Sequence, residues 1–239
     1  MKSQPDPVQK MDRMYRWTRH VYDWTRRYYL FGRDRLIDRI ADHSPGDVLE
    51  VGCGTARNLR RLHRRAPDHR LYGMDASTQM LDTARRALQR DGVSSQIHLT
   101  HGLAADVGPD MFGRTAPFDV VLCSYVLSMI PDHDTAIRAS LQALRPGGTL
   151  YIVDFWDQAD LPAPVARALQ GWLGLFDVHH RPALLDTLLA LEDRGTVRLH
   201  LETVGPRYAY VAALTRTTTD AAPEGFGATP PAHAGPAPA

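Results

Sequence analysis

Two glycines one residue apart, Gly52 and Gly54, follow the run Val48-Leu49-Glu50-Val51 and precede Thr55-Ala56-Arg57-Asn58. Without a Cβ, glycine lets a ligand approach the backbone closely where a strand turns into a helix. Asp75 closes the next apolar run, 21 residues after Gly54. A carboxylate so placed can accept both hydroxyls of a ribose. The chemistry implied is binding of a nucleoside-containing ligand. A dinucleotide site wants a third Gly or Ala where Arg57 stands, which disfavours a pyrophosphate without excluding it. Glu50, two positions before the first glycine, suits an amine or a cation better than a diphosphate. The pattern favours S-adenosylmethionine, with its sulfonium, ammonium and carboxylate.

Elements that position these groups can be read from periodicity. Strands are expected at Asp47–Val51, Arg70–Met74, Gln96–Thr100, Phe118–Cys123 and Thr149–Phe155. Helices are expected between them at Thr55–Arg65, Ser77–Arg90 (capped by Ser77) and Asp132–Leu144, the last ended by Arg145-Pro146-Gly147-Gly148. The alternation predicts a parallel sheet wrapped by helices, and the almost continuous apolar run at 118–123 predicts a strand buried on both faces. Helices follow at Ala163–Gly174 and Pro182–Asp193. Thr196–Thr203 and Tyr208–Thr215, joined through Gly205-Pro206, read as a hairpin closing a sheet of seven strands. Upstream, residues from Met11 to Tyr29 repeat aromatic and apolar positions at i, i+3, i+4 and i+7 among arginines. That helix suits packing on the sheet, a lid over a ligand, or a segment resting on lipid headgroups.

The chain has 239 residues, of which 44% are apolar, enough for one substantial core. It divides into a flexible N-terminus (1–10), a helical lid or membrane-facing segment (11–44), a cofactor-binding domain (45–216) and a disordered Ala/Pro/Gly-rich tail (217–239). Two cysteines, Cys53 and Cys123, exclude a disulfide framework or a multi-cysteine metal site and point to a reducing cytoplasm. Both read as small residues where little else fits. No metal is expected. A formal net charge of +1 lacks the footprint of a nucleic-acid binder. Charge is uneven, however: residues 11–40 hold eight Arg against four Asp, and residues 57–70 hold six Arg against one Asp. Such runs suit a solvated helix face, or attraction to phosphates or an anionic membrane.

Glu50-Val51-Gly52-Cys53-Gly54, Gly73-Met74-Asp75-Ala76-Ser77, Phe118-Asp119-Val120-Val121 and Leu144-Arg145-Pro146-Gly147-Gly148-Thr149-Leu150 resemble the ordered motifs of class I S-adenosylmethionine-dependent methyltransferases. The resemblance covers about residues 45 to 215. It implies an α/β, Rossmann-like, doubly wound seven-stranded sheet with its last strand antiparallel, here with an N-terminal helical lid. It also implies that Gly52, Cys53 and Gly54 lie against the methionine part of the cofactor, with Glu50 near its amine or fixing the turn. Asp75 would hold the ribose, and Ala76 or Met80 would pack near the adenine. Leu103 and Ala104 match the adenine-edge segment. Many relatives have Asp where Leu103 stands, and Asp106 is the alternative carboxylate. Ala56 replaces a frequent third glycine. Cys123, Ser124 and Tyr125 would border the transferable methyl.

Met11 to Leu36, with the segment around Phe176–Leu185 and Arg207-Tyr208-Ala209-Tyr210, further resembles bacterial betaine-lipid N-methyltransferases, which trimethylate diacylglycerylhomoserine. This implies successive methylation of an amine, with Tyr22, Tyr125 and Tyr208 positioning it and Tyr28 and Arg27 touching the cofactor. Tyr29 is a further aromatic candidate, and Arg26 or Arg27 would hold a carboxylate. An α-amine, which ordinarily titrates near about pH 8, needs no strong base, and aromatic faces tolerate its cationic products. The implied partners are a lipid substrate, anionic headgroups at the inner membrane surface, and functional coupling to the enzyme that makes the homoserine lipid. A phosphatidylethanolamine N-methyltransferase, a quinone or small-molecule methyltransferase, and a silent cofactor-binding regulatory subunit are the alternatives.

Overall fold

A computed structural model describes residues 30–162 and 182–217, with residues 164, 165, 167 and 171 between them. The helix read at 11–29, most of that read at 163–174, and the tail from 218 lie outside the described residues. Within them the chain runs α1 (Arg33–Ala41), β1 (Asp47–Val51), α2 (Arg57–Arg65), β2 (Arg70–Asp75), α3 (Thr78–Asp91) and β3 (Ile97–His101). It continues through β4 (Phe118–Ser124), α4 (His133–Gln142), β5 (Leu144–Phe155), α5 (Pro182–Asp193), β6 (Val197–Val204) and β7 (Ala209–Arg216).

The seven strands form one sheet in the order β3-β2-β1-β4-β5-β7-β6. Strands β1 to β5 pair in parallel, and β7 runs antiparallel to both β5 and β6. The reversal of strand order lies between β1 and β4, the crevice where doubly wound sheets bind ligands. All five residues of β1 are buried, because helices cover both of its faces. Val48, Val120, Leu122 and Val153 pack under α1, α2 and α3, and Leu49, Val51, Val121 and Ile152 pack under α4 and α5. This alternation is the period-2 pattern of strands.

Polar clamps hold the end of the sheet remote from that crevice. The Asp47 carboxylate takes two bonds from Arg70, at 2.6 and 2.8 Å, and one from Arg114 at 2.6 Å. Arg114 also lies over the rings of Tyr72 and Phe118, 4.8 and 4.6 Å from their centroids. Asp119 accepts the Asp47 backbone N–H at 2.7 Å and pairs with Arg145.

Three boundaries differ from the sequence expectation by two residues or more. The strand expected to begin at Thr149 begins at Leu144, and the helix before it ends at Gln142. Arg145-Pro146-Gly147-Gly148 is thus an irregularity within the β4–β5 pairing, where the register shifts between Phe118 and Val120. Gly147 has φ +72°, and a Cβ on Gly148 would lie 3.0 Å from the carbonyl oxygens of Arg145 and Asp119. The helix expected from Thr55 begins at Arg57, because Ala56 adopts the left-handed conformation at φ 57°.

Candidate active site

The glycine turn leaves β1 at the carboxyl edge of the sheet. The Cys53 N–H donates to the Met74 carbonyl at 2.8 Å, which fastens the turn to β2. Gly52 has φ +70°, and a Cβ there would fall 2.4 Å from Val126 Cγ2. Only glycine satisfies both conditions. Asp75 closes the arrangement: one carboxylate oxygen accepts the Gly54 N–H and the other the Ser77 N–H, each at 2.8 Å. The carboxylate therefore joins the turn to the start of α3, which Ser77 caps by accepting the Met80 N–H at 3.3 Å. Glu50 is 2% exposed, and its Oε1 accepts from Asn58 Nδ2 at 2.7 Å. That bond fixes the first turn of α2 against β1.

These residues border a cleft of about 500 Å³ lined by Glu50, Gly52, Cys53, Gly54, Thr55 and Ser124, with Arg33, Asn58 and the arginines of α2 along the other side. Volumes of this order suit a small organic ligand. Ser124 is buried, and its Oγ makes no hydrogen bond among the described residues. A buried hydroxyl at a cleft wall calls for a polar partner from the ligand. Burial, with Asp75 and Glu50 nearby, pushes the Cys53 thiol well above its ordinary range. Burial pushes Cys123 up to about 12. Neither cysteine is a nucleophile at neutral pH.

Other residues singled out in the sequence occupy distinct places. The Ala76 carbonyl lies 3.1 Å from His101 Nε2, beside the carboxyl end of β3. Leu103 is exposed and Ala104 half-buried on the short turn Ala104–Asp106 that follows; Asp106 is exposed there. Met80 is on the buried face of α3, in the core, and is not among the residues lining the cleft. Tyr125 has φ +55°, is 2% exposed, and donates its hydroxyl to the Phe31 carbonyl. Burial, and secondarily Tyr208, holds its pKa well above the ordinary tyrosine value. Tyr125 packs on Phe155 at 4.7 Å between centroids, and Tyr208 meets Phe155 at 5.8 Å and Phe31 at 5.3 Å. The two tyrosines are thus brought into one aromatic cluster. Tyr22, Arg26, Arg27, Tyr28 and Tyr29 lie outside the described residues.

Arg33 and Asn58 line the cleft, and sequence reasoning missed their part in it. Arg33 is buried, its Nε donates to the Leu30 carbonyl at 3.2 Å, and it lines the cleft. In the sequence it is one arginine in a charge run. Among the described residues no group of three His, Cys, Asp or Glu is placed to hold a metal.

A seven-stranded sheet with an antiparallel β7, a glycine turn after β1 and an acid ending β2 make one arrangement, and residues 48–148 match the family described as a methyltransferase domain. This is a class I, S-adenosylmethionine-dependent methyltransferase domain. The methyltransferase domain is similar to trans-aconitate 2-methyltransferase of Azoarcus sp., with 32% identity over 49% of this chain and 42% of that protein. It is similar to demethylmenaquinone methyltransferase of Deinococcus radiodurans, with 30% identity over 68% of this chain and 65% of that protein. The chain therefore spans less than two thirds of the length of either curated relative. An O-methyltransferase family protein from Burkholderia thailandensis shares the methyltransferase fold at a TM-score of 0.65 and 17% identity, covering 91% of this chain and 66% of that one. The cofactor of the methyltransferase domain is S-adenosylmethionine. The orphaned Ser124 hydroxyl, the Asp75 carboxylate and the side-chain-free turn at Gly52 and Gly54 fit it.

Proposed function

We propose that the chain methylates an amine, and that its acceptor is diacylglycerylhomoserine, carried by successive transfers to the trimethylated betaine lipid. One observation carries the amine reading. Among the described residues lining the cleft, the only carboxylate is Glu50, already bonded to Asn58, and the remaining ionisable groups are arginines and a thiol held protonated. None is fitted to remove a proton. Acceptors that react through a hydroxyl or a carbon need a base in the transition state. An α-amine that ordinarily titrates near about pH 8 keeps a neutral fraction at neutral pH, whose lone pair can attack the methyl when held in line. Between transfers the methylated ammonium releases its proton to water.

When bound, S-adenosylmethionine supplies an electrophilic methyl on a sulfonium and leaves as a neutral thioether. The chain's own residues orient and exclude water. Gly52, Gly54 and Ser124 would receive the methionine end, Asp75 the ribose, and the segment after β3, at Leu103 and Ala104, the adenine. Tyr125 seats Phe31, whose exposed ring packs edge-on against Tyr208 and would offer a face to an amine that becomes permanently cationic after the third transfer. The lipid identity is supported by the resemblance of residues 11–36 to betaine-lipid methyltransferases. A phosphatidylethanolamine acceptor shares the same amine chemistry. A quinone or other small molecule is the second reading, favoured by the demethylmenaquinone methyltransferase relative.

Mass spectrometry of mixed vesicles incubated with the protein and S-adenosylmethionine tests the proposal. Mono-, di- and trimethylated homoserine lipid is the expected product. Methylation of phosphatidylethanolamine or demethylmenaquinone alone would replace the acceptor. Cofactor binding without turnover on any acceptor would make the chain a regulatory subunit.

A further inference from the structure

The two helical layers of the fold carry opposite charge. Helices α1, α2 and α3 cover one face of the sheet and hold eleven arginines against four aspartates. Helices α4 and α5 cover the other and hold one arginine against four acids. In a chain of formal net charge +1 this is a segregation of charge, not an excess of it. Its centre is α2, with five arginines and no acid. The two ion pairs that join α1 to α2 are long and exposed. Arg61 lies 3.2 Å from Asp34, with side chains 38% and 58% exposed; Arg65 lies 3.3 Å from Asp38, with side chains 61% and 48% exposed. Pairs of this kind contribute little and give way to a competing anion. Arg61 and Arg64 also stand on the wall of the cofactor cleft. Two residues before Arg33 of that same wall, Phe31 leaves more than half of its surface in solvent.

We propose that the α1–α2 face docks on the phosphates of an anionic bilayer, with Phe31 entering the headgroup region, so that the cofactor cleft opens at the membrane surface. Arginine beside an exposed aromatic is the composition of an interfacial site, and no helix among the described residues is long and apolar enough to cross a membrane. The choice of lipid phosphate over nucleic-acid phosphate rests on the lipid acceptor proposed above. The charge and exposure of the face do not.

The test is cosedimentation of the full chain with vesicles of phosphatidylglycerol and phosphatidylcholine that contain no amine-bearing acceptor. Binding is expected to anionic vesicles and not to pure phosphatidylcholine, and to fall as salt rises. Arg35 and Arg65 are exposed and lie outside the cleft lining. The Arg35→Ala, Arg65→Ala double variant is expected to bind vesicles about 25-fold more weakly, roughly fivefold per lost charge. S-adenosylhomocysteine titration of the same preparation verifies that it remains folded. Failure to bind anionic vesicles at low salt, or full binding by the double variant, overturns the docking face. Tighter binding to an RNA than to the vesicles also overturns it and assigns the face to nucleic acid. Anionic binding together with inert homoserine lipid sustains the docking face and overturns the acceptor. Methylation in detergent without vesicle binding does the reverse.

Discussion

Asp75→Asn separates two duties proposed for one carboxylate. In the protein both oxygens of Asp75 accept backbone N–H groups, from Gly54 and Ser77, at 2.8 Å each. Asparagine has one oxygen to offer, and its amide N–H faces the second donor, so one of these bonds is lost. Leaving a buried donor unmet costs about 1–3 kcal/mol, which for a chain of this size lowers the melting temperature by roughly 2–12 °C. The second duty is reception of the ribose. A hydrogen bond to a charged acceptor contributes about 1.5–3 kcal/mol, so loss of one hydroxyl contact weakens binding about 10- to 150-fold. Weakened affinity alone does not separate a lost ribose contact from a loosened glycine turn. Calorimetric titration with S-adenosylhomocysteine and its 2′-deoxy and 3′-deoxy analogues, on both proteins, does. If Asp75 holds the diol, deleting a hydroxyl weakens binding to the natural protein and much less to the variant, a coupling of about 1.5 kcal/mol or more. Equal penalties in the two proteins would refute the ribose assignment and leave Asp75 as a fastener of the turn.

Asp47→Ala leaves the Arg114 guanidinium between two rings without its carboxylate and is expected to cost about 3–5 kcal/mol in urea unfolding; a loss under about 1 kcal/mol would show that water replaces the pair. Burial acts to raise the Asp47 and Asp119 carboxyls, but bonds from Arg70 and Arg114 to the first, and from Arg145 to the second, hold both below the ordinary range. Their contribution is therefore complete above the unfolded-state carboxyl pKa and disappears as pH falls through the folded values, so unfolding midpoints should drop below about pH 4; Asp47→Asn should flatten that fall. Gly52→Ala forces a side chain into φ +70° and against Val126, with an expected cost of about 2–5 kcal/mol. Adding Val126→Ala should recover the part due to the clash, and no recovery would locate the whole cost in the backbone. Tyr125→Phe removes the bond to the Phe31 carbonyl, and hydrogen exchange at Gly32 and Arg33 should quicken about tenfold, following loss of about 1.4 kcal/mol of local stability.

How much of the fold was legible depends on which forces act locally. Strands β1 and β4 are buried on both faces, so their apolar runs announce them without long-range information. Ser77 caps α3 as its residue type suggests. The five-residue error at the start of β5 arises because Gly147 and Gly148 ordinarily mark a stop, whereas here they bend a ladder that continues through them. Ala56 misleads in the same way: nothing in its type requires a left-handed conformation, which follows from fastening Cys53 to β2 on one side and starting α2 on the other.

The candidate site divides along the same line. Glu50, Gly52, Gly54 and Asp75 stand at the ends of adjacent parallel strands, so spacing along the chain becomes proximity in space. Arg33 reaches the cleft only because α1 packs on the same face as α2, a tertiary fact that a local pattern does not contain. Tyr125 shows the converse. It follows β4, where the family resemblance expects a group near the methyl, yet its hydroxyl is engaged by the Phe31 carbonyl and its ring by Phe155, which makes it a support for the segment that leads into α1. Polar clamps at Asp47 and Asp119 lie at the opposite end of the sheet from Gly52 and Asp75. Changes at the clamps should therefore alter unfolding while sparing cofactor affinity. Changes at Gly52 or Asp75 should alter both, because there the bonds that shape the turn also shape the cleft.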